Sequence, residues 1–269
     1  DDELELEIES LIESTGDNLP RPIGGEVGRI CDKSDIITTY VDYIEQICTY
    51  PLNKLKVGVD TSNGANFHLA PLVYDSLDIE YKVINNTPNG KNINLNCGST
   101  HLEGLKKLVM QEKLDLGIAF DGDADRLLAV DEDGNEVNGD EIMFICSRYL
   151  PRLQDNKVVV ATIMSNLGFE IAIKKMNQQF LRSQVGDRYV SEQIAVSGAK
   201  IGGEQSGHII FPELNSTGDG LLTSLMFLEA IHISEKSLKT LRKEISLFPQ
   251  VLINVPVLSK NNLESNESI

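Results

Sequence analysis

Leu4, Ile8, Leu11 and Ile12 fall on one stripe among acidic residues, so residues 1 to 13 predict an amphipathic helix. Such a stripe calls for a partner surface, either an absent domain or a second subunit of a homodimer. Residues 14 to 34 carry Gly16, Pro20, Pro22, Gly24, Gly25 and Gly28 and predict a connection, with the first folded unit starting near residue 30. The pattern then alternates: a helix over 35 to 48 (Ile36, Tyr40, Ile44, Ile47), a strand over 56 to 60, a helix over 65 to 77 and a strand over 81 to 84. A helix over 100 to 112 leads to the apolar strand Leu116 to Phe120, and Leu127 to Asp131 with Glu136-Val137 predict a hairpin turning at Asp133-Gly134. A second round follows: a helix over 139 to 150, a strand over 158 to 161, a helix over 166 to 177, a strand near 180 to 185 and a helix over 189 to 197. It closes with a glycine-bearing loop over 202 to 207, a strand over 208 to 211 and a long apolar helix over 219 to 233. Two consecutive α/β units of similar size are expected, and the tail after Pro256 has little to bury.

Charge narrows the function classes. Against 24 Lys and Arg stand 41 Asp and Glu, a formal net charge of −17, which disfavours nucleic acid and anionic membranes as partners. No apolar run approaches the roughly 18 to 20 residues of a membrane helix, and the opening DDELELEIES is not a secretory signal, so the chain reads as soluble and cytoplasmic. Cys31, Cys48, Cys97 and Cys146 form no CxxC pair and predict neither a zinc knuckle nor a disulfide scaffold.

The segment Asp121-Gly122-Asp123-Ala124-Asp125-Arg126 follows an apolar strand, at the end where open α/β sheets place ligands. Two carboxylates about 4 Å apart repel by about 4 kcal/mol at an effective dielectric near 20, so three converging on one point favour a cation or a proton. Hard oxygen ligands point to Mg2+, and Arg126 would hold a phosphoryl group beside it. A lone Asp-x-Asp is usually a solvated turn; the third aspartate and the arginine after an apolar strand argue against that. In an EF-hand, Glu132 would be the twelfth loop residue, but the sixth position, normally Gly, is Arg126 and a strand follows at once. A haloacid-dehalogenase phosphatase also starts with Asp-x-Asp after a strand but fits the third aspartate and the arginine poorly. The second constellation, Gly203-Glu204-Gln205-Ser206-Gly207-His208, offers a carboxylate, a hydroxyl and an imidazole suited to gripping sugar hydroxyls.

Together, in this order, the two motifs resemble the α-D-phosphohexomutase superfamily, with its DGDxDR metal loop and GE-x-SG-H sugar loop, and the resemblance covers nearly the whole chain. Pro88-Asn89-Gly90-Lys91-Asn92-Ile93-Asn94, Cys97-Gly98-Ser99-Thr100, Val185-Gly186-Asp187-Arg188-Tyr189-Val190 and Ser216-Thr217-Gly218-Asp219-Gly220 add to it, and within the superfamily Gln205 and the asparagine-rich stretch favour an amino sugar; relatives acting on mannose or glucose phosphates are the alternative, as is a non-catalytic module that binds a divalent cation or sugar phosphate. The resemblance implies a four-domain enzyme that interconverts glucosamine 6-phosphate and glucosamine 1-phosphate through a phosphoserine and a bisphosphate, towards UDP-N-acetylglucosamine. Residues 1–29 would end domain 1, 30–135 form domain 2, 136–252 form domain 3 and 253–269 lead towards domain 4. By position, Asp121, Asp123 and Asp125 would hold Mg2+, Arg126 would neutralise the phosphoryl group, and Glu204 and Ser206 would bind the phosphorylated hexosamine. His208 is the acid/base candidate, or else orients a neighbour; Arg188 is expected to contact substrate phosphate or the neighbouring sugar loop, or else to form a salt bridge at a helix start with Asp187 or another acid; Asp219 is expected to cap a helix. No Ser-His-Asn-Pro-like stretch or Arg-x-Ser-Gly-Thr loop occurs, so this stretch alone is expected to lack the phosphoserine relay.

Overall fold

The computed structural model describes residues 2–14, 21–251 and 253. The chain divides into an N-terminal unit, Asp1–Ile36, and a main unit, Ile37–Ile269. In the first, α1 (Asp2–Glu13) follows the expected amphipathic span. Of the connection expected over 14 to 34, residues 15–20 lie outside the described residues, as does the tail after Pro256; the described remainder is irregular apart from a short turn at Gly24–Glu26.

The main unit holds two mixed sheets of matching topology. The first orders β1 (Lys56–Asp60), β2 (Glu80–Ile84), β3 (Leu116–Phe120), β4 (Leu127–Asp131) and β5 (Glu136–Val137) as β2-β1-β3-β4-β5. β1 pairs parallel with β2 and β3, β4 returns antiparallel to β3, and β5 pairs antiparallel to β4. The second orders β6 (Val158–Thr162), β7 (Gln179–Ser183), β8 (Ile201–Gly203) and β9 (Ile209–Ile210) as β7-β6-β8-β9, again with two parallel pairs and an antiparallel return. The aspartate segment joins β3 to β4 and the 204–208 segment joins β8 to β9. The two chemically marked loops therefore occupy equivalent corners of a repeated pattern.

α2 (Ile36–Ile47), α3 (Asn66–Ser76) and α4 (Glu103–Glu112) belong to the first round, and α5 (Gly139–Tyr149), α6 (Leu167–Lys175), α7 (Asp187–Ser197) and α8 (Gly220–Ser234) to the second. α8 buries Leu221 to Ile231 without a polar face, as a helix enclosed on all sides must. It packs on α5 and reaches β3 and β4 as well as β9. Val59, Ile118 and Phe120 of the first sheet thus share one core with Val159, Ile201 and Ile209 of the second. A charged intrusion on α8, the buried Glu229, accepts the backbone N–H groups of Thr49 and Tyr50, which satisfies an otherwise costly carboxylate.

The loop expected over 202 to 207 begins later than the sequence suggests, because Gly202 and Gly203 lie in β8. They are glycines because neighbours press on them: a Cβ on Gly203 would overlap the His208 carbonyl oxygen, and one on Gly202 would lie 2.9 Å from the Val160 oxygen. A short helix, α9 (Leu238–Arg242), capped by Ser237, adds to the elements expected from the pattern.

Candidate functional site

The antiparallel return from β3 to β4 forces Asp121 to Arg126 into a tight loop whose carboxylates face one another. Asp121, Asp123 and Asp125 each offer an oxygen within 4.8 Å of the others. Asp121 Oδ1 accepts the Arg126 backbone N–H at 3.1 Å. Burial pushes the Asp121 carboxyl up to about 7, against the pull of that N–H, and the neighbouring Asp125 and Asp123 add to the rise. The Arg126 Nε lies 3.8 Å from both Asp121 Oδ2 and Asp125 Oδ1, with the side chain still half exposed. Ala124 holds a φ of 69°, and its carbonyl accepts the N–H of Gly220, the first residue of α8, at 2.9 Å.

The two oxygens of Asp125 are held differently. Its Oδ2 lies 2.9 Å from His208 Nδ1, while its Oδ1 is buried with no hydrogen-bond partner. Three converging carboxylates, with a buried Asp125 oxygen that accepts no hydrogen bond, fit a small divalent cation. His208 itself is 2% exposed. Its Nε2 is buried without a partner and abuts Gly218, where a Cβ would sit 2.5 Å away.

The 204–208 loop is tied to the aspartate loop through the backbone. Leu127 N donates to Gly207 O at 3.1 Å and Gly139 N to Gln205 O at 3.0 Å, and Arg126 and His208 form a β-bridge. Glu204 Oε1 accepts the Gly186 N–H at 2.9 Å, and its Oε2 accepts the Ser206 hydroxyl at 3.1 Å. A cleft of about 460 Å³ opens over Glu204, Gln205 and Ser206, with Thr162, Met164 and Val185 on its wall. Arg188 Nε pairs with Glu192 along α7 at 3.0 Å, one turn on. Asp219 caps α8, accepting Leu222 N at 3.0 Å, and also accepts the Tyr40 hydroxyl at 2.9 Å.

Asp140 is a carboxylate that sequence reasoning misses. It is fully buried in the first turn of α5, where Oδ2 accepts Asn166 N at 2.7 Å and faces Gln205 Nε2 at 3.4 Å. The Asn138–Glu141 capping box around it is a readable signal for the helix start, though not for this carboxylate. Burial raises Asp140 to about 6, with the Asn166 N–H opposing. An acid whose folded pKa lies above its unfolded value of 3.8 supports the fold below that value and loses that support as pH rises through 6. The penalty at neutral pH is about 3 kcal/mol. Asp140→Asn keeps an acceptor for Asn166 and has nothing to titrate, so its stability relative to the unsubstituted chain is expected to improve between pH 4 and pH 7.5. Urea unfolding at both pH values measures this, and parallel pH profiles would contradict it.

Residues 38–134 match the family model described as phosphoglucomutase/phosphomannomutase, alpha/beta/alpha domain II, and residues 138–248 match its domain III. Phosphoglucosamine mutase from Pelotomaculum thermopropionicum is 48% identical over 261 residues, covering 96% of this chain and 59% of that protein. The enzyme of the same name from Carboxydothermus hydrogenoformans is 46% identical over 271 residues, covering 100% of this chain and 61% of the relative. The chain thus spans about 60% of the length of such relatives. Among solved structures, a putative phosphomannomutase from Thermus thermophilus superposes with a TM-score of 0.70 at 21% identity, over 78% of this chain and 50% of that one. Aspergillus fumigatus N-acetylphosphoglucosamine mutase, in complex with GlcNAc-6P and magnesium, gives a TM-score of 0.66 at 17% identity over 84% and 52%. At such identities these two speak for the fold.

Proposed function

Because the chain belongs to the phosphoglucomutase/phosphomannomutase family, we propose that it is the central part of a phosphoglucosamine mutase, the name carried by its relatives at 43% to 48% identity. Domain 2 is assigned to residues 30–135 and domain 3 to 136–252, and the parent would interconvert glucosamine 6-phosphate and glucosamine 1-phosphate through a phosphoserine supplied by a domain outside this stretch. That places it on the route to UDP-N-acetylglucosamine and so to peptidoglycan precursors. No helix among the described residues is long and apolar enough to cross a membrane.

The observation that carries this reading is the backbone tie between the carboxylate loop and the Glu204–Ser206 loop. Phosphoryl transfer depends on positioning and charge neutralisation more than on covalent chemistry by the protein. In this reading Asp121, Asp123 and Asp125 hold Mg2+, which when bound neutralises charge on the transferring phosphoryl group. Arg126 adds a cation beside it, and its half exposure leaves the guanidinium free to turn towards a phosphate. Glu204 and Ser206, already hydrogen-bonded to each other, bind sugar hydroxyls in the cleft, and Gln205 lines the same floor. His208 is assigned to holding Asp125 rather than to proton exchange, on the strength of its burial and its Nδ1 contact.

Specificity constants of the intact parent decide the sugar. Glucosamine 6-phosphate is expected to exceed mannose 6-phosphate by at least about tenfold, the worth of one well-placed polar contact. A reversed preference would move the chain to the phosphomannomutase branch, and no turnover of either sugar would favour the non-catalytic reading.

A further inference from the structure

Three converging carboxylates need a backbone that stays in place, and the brace lies in the loop after β1. Ser62 and Asn63 have φ of 53° and 51°, two successive left-handed residues without a glycine. Side-chain-bearing residues hold that conformation only where surroundings impose it. Asp60, Thr61 and Ser62 are all 0% exposed. Asp60 organises them: Oδ1 accepts Ser62 N at 2.8 Å, and Oδ2 accepts Asn85 Nδ2 at 2.9 Å and Gly98 N at 3.0 Å.

This fold of the loop aims two donors at adjacent carbonyls of the aspartate segment. The Ser62 hydroxyl lies 2.8 Å from Asp121 O, and Ala65 N donates to Gly122 O at 2.8 Å. Ser62 Oγ is also 2.7 Å from Thr61 O, but that carbonyl already accepts Gly64 N at 2.8 Å, whereas Asp121 O has no other donor among the described residues. From the far side Asn94 N donates to Ser62 O at 2.9 Å, and a Cβ on Gly122 would lie 2.5 Å from Asn94 Nδ2, so the asparagine-rich loop closes over the brace. Resting on the reading of Asp121, Asp123 and Asp125 as a divalent-cation site, we propose that Ser62 is a positioning residue for that site, its hydroxyl fixing the Asp121 peptide and Asp60 fixing Ser62.

The test uses this chain and Mn2+, with free Mn2+ followed by its electron paramagnetic resonance signal and metal-free melting followed by circular dichroism. Ser62→Gly removes the hydroxyl while suiting the positive φ, so its melting is expected to stay within about 3 °C of the unsubstituted chain. Its Mn2+ affinity is expected to fall about tenfold, as befits one lost buried hydrogen bond. Ser62→Ala provides a second variant with the same expected loss of affinity should the glycine variant prove unstable. If the unsubstituted chain does not bind Mn2+ saturably, or Asp123→Ala binds it equally well, the cation-site reading fails. If both of those controls behave as expected and a folded Ser62 variant keeps full affinity, the positioning role is overturned while the site stands.

Discussion

On the proposed reading, Asp123→Ala in the intact parent protein is expected to lower mutase turnover by about three orders of magnitude, the scale on which a catalytic cation and its charge neutralisation contribute. Asp123 is the exposed member of the triad, whereas Asp121 and Asp125 are partly buried and hydrogen-bonded to Arg126 N and His208. Its removal therefore takes away one carboxylate of the proposed cation site without opening the core. It also relieves repulsion in the metal-free protein, because three carboxylates with oxygens within 4.8 Å of one another burden each other. The metal-free variant is accordingly expected to melt no lower than the unsubstituted protein. Added Mg2+ should raise the melting temperature of the unsubstituted protein and leave the variant unmoved, as binding to the folded state alone requires. Near-normal turnover, or an equal Mg2+ response in both proteins, would remove the basis for the cation site.

Gly207→Ala is expected to be the most damaging single methyl addition at the site. Gly207 has a φ of 97°, and a Cβ there would overlap the Leu127 carbonyl oxygen and lie 2.8 Å from its carbon. Relief means moving backbone, and the backbone in question carries the Leu127 N to Gly207 O hydrogen bond that ties the two loops. Strain at a positive φ together with a lost tie costs about 3 kcal/mol, which for a unit of this size lowers the melting temperature by about 10 °C. Thermal unfolding at fixed pH reads it directly, and a fall of less than about 2 °C would mean that neither the close approach nor the tie contributes as argued.

The aspartate loop is legible in the sequence alone because its signal is local: alternate carboxylates after an all-apolar strand are an electrostatic problem with few solutions. The hairpin at Asp133-Gly134 is equally local, with Gly134 at a φ of 82° and Asp131 accepting the N–H groups of Asp133 and Asn135. The α8 span is legible from its unbroken apolarity. What escapes depends on partners far along the chain. Gly202 and Gly203 look like loop residues in isolation, and only the proximity of Val160, Ile194 and His208 reveals a strand. Nor does the sequence show why position 122 is glycine: a Cβ there would meet Asn94 and Ile93, so Gly122 makes room for the asparagine-rich loop. Asp140 and Asp60 read as ordinary acids among 41 Asp and Glu until their burial is known. Chemical type alone suggests roles for His208 and Arg188, whereas their contacts with Asp125 and Glu192 come from the fold.

The wedge of α8 between the sheets has a mechanical corollary. Gly220, at its first turn, supports the carboxylate loop through Ala124 O, and Asp219, just before it, holds Tyr40. Since the same helix contacts β3 and β4 of the first sheet and β9 of the second, the proposed cation loop and the proposed sugar loop would rest on one shared support.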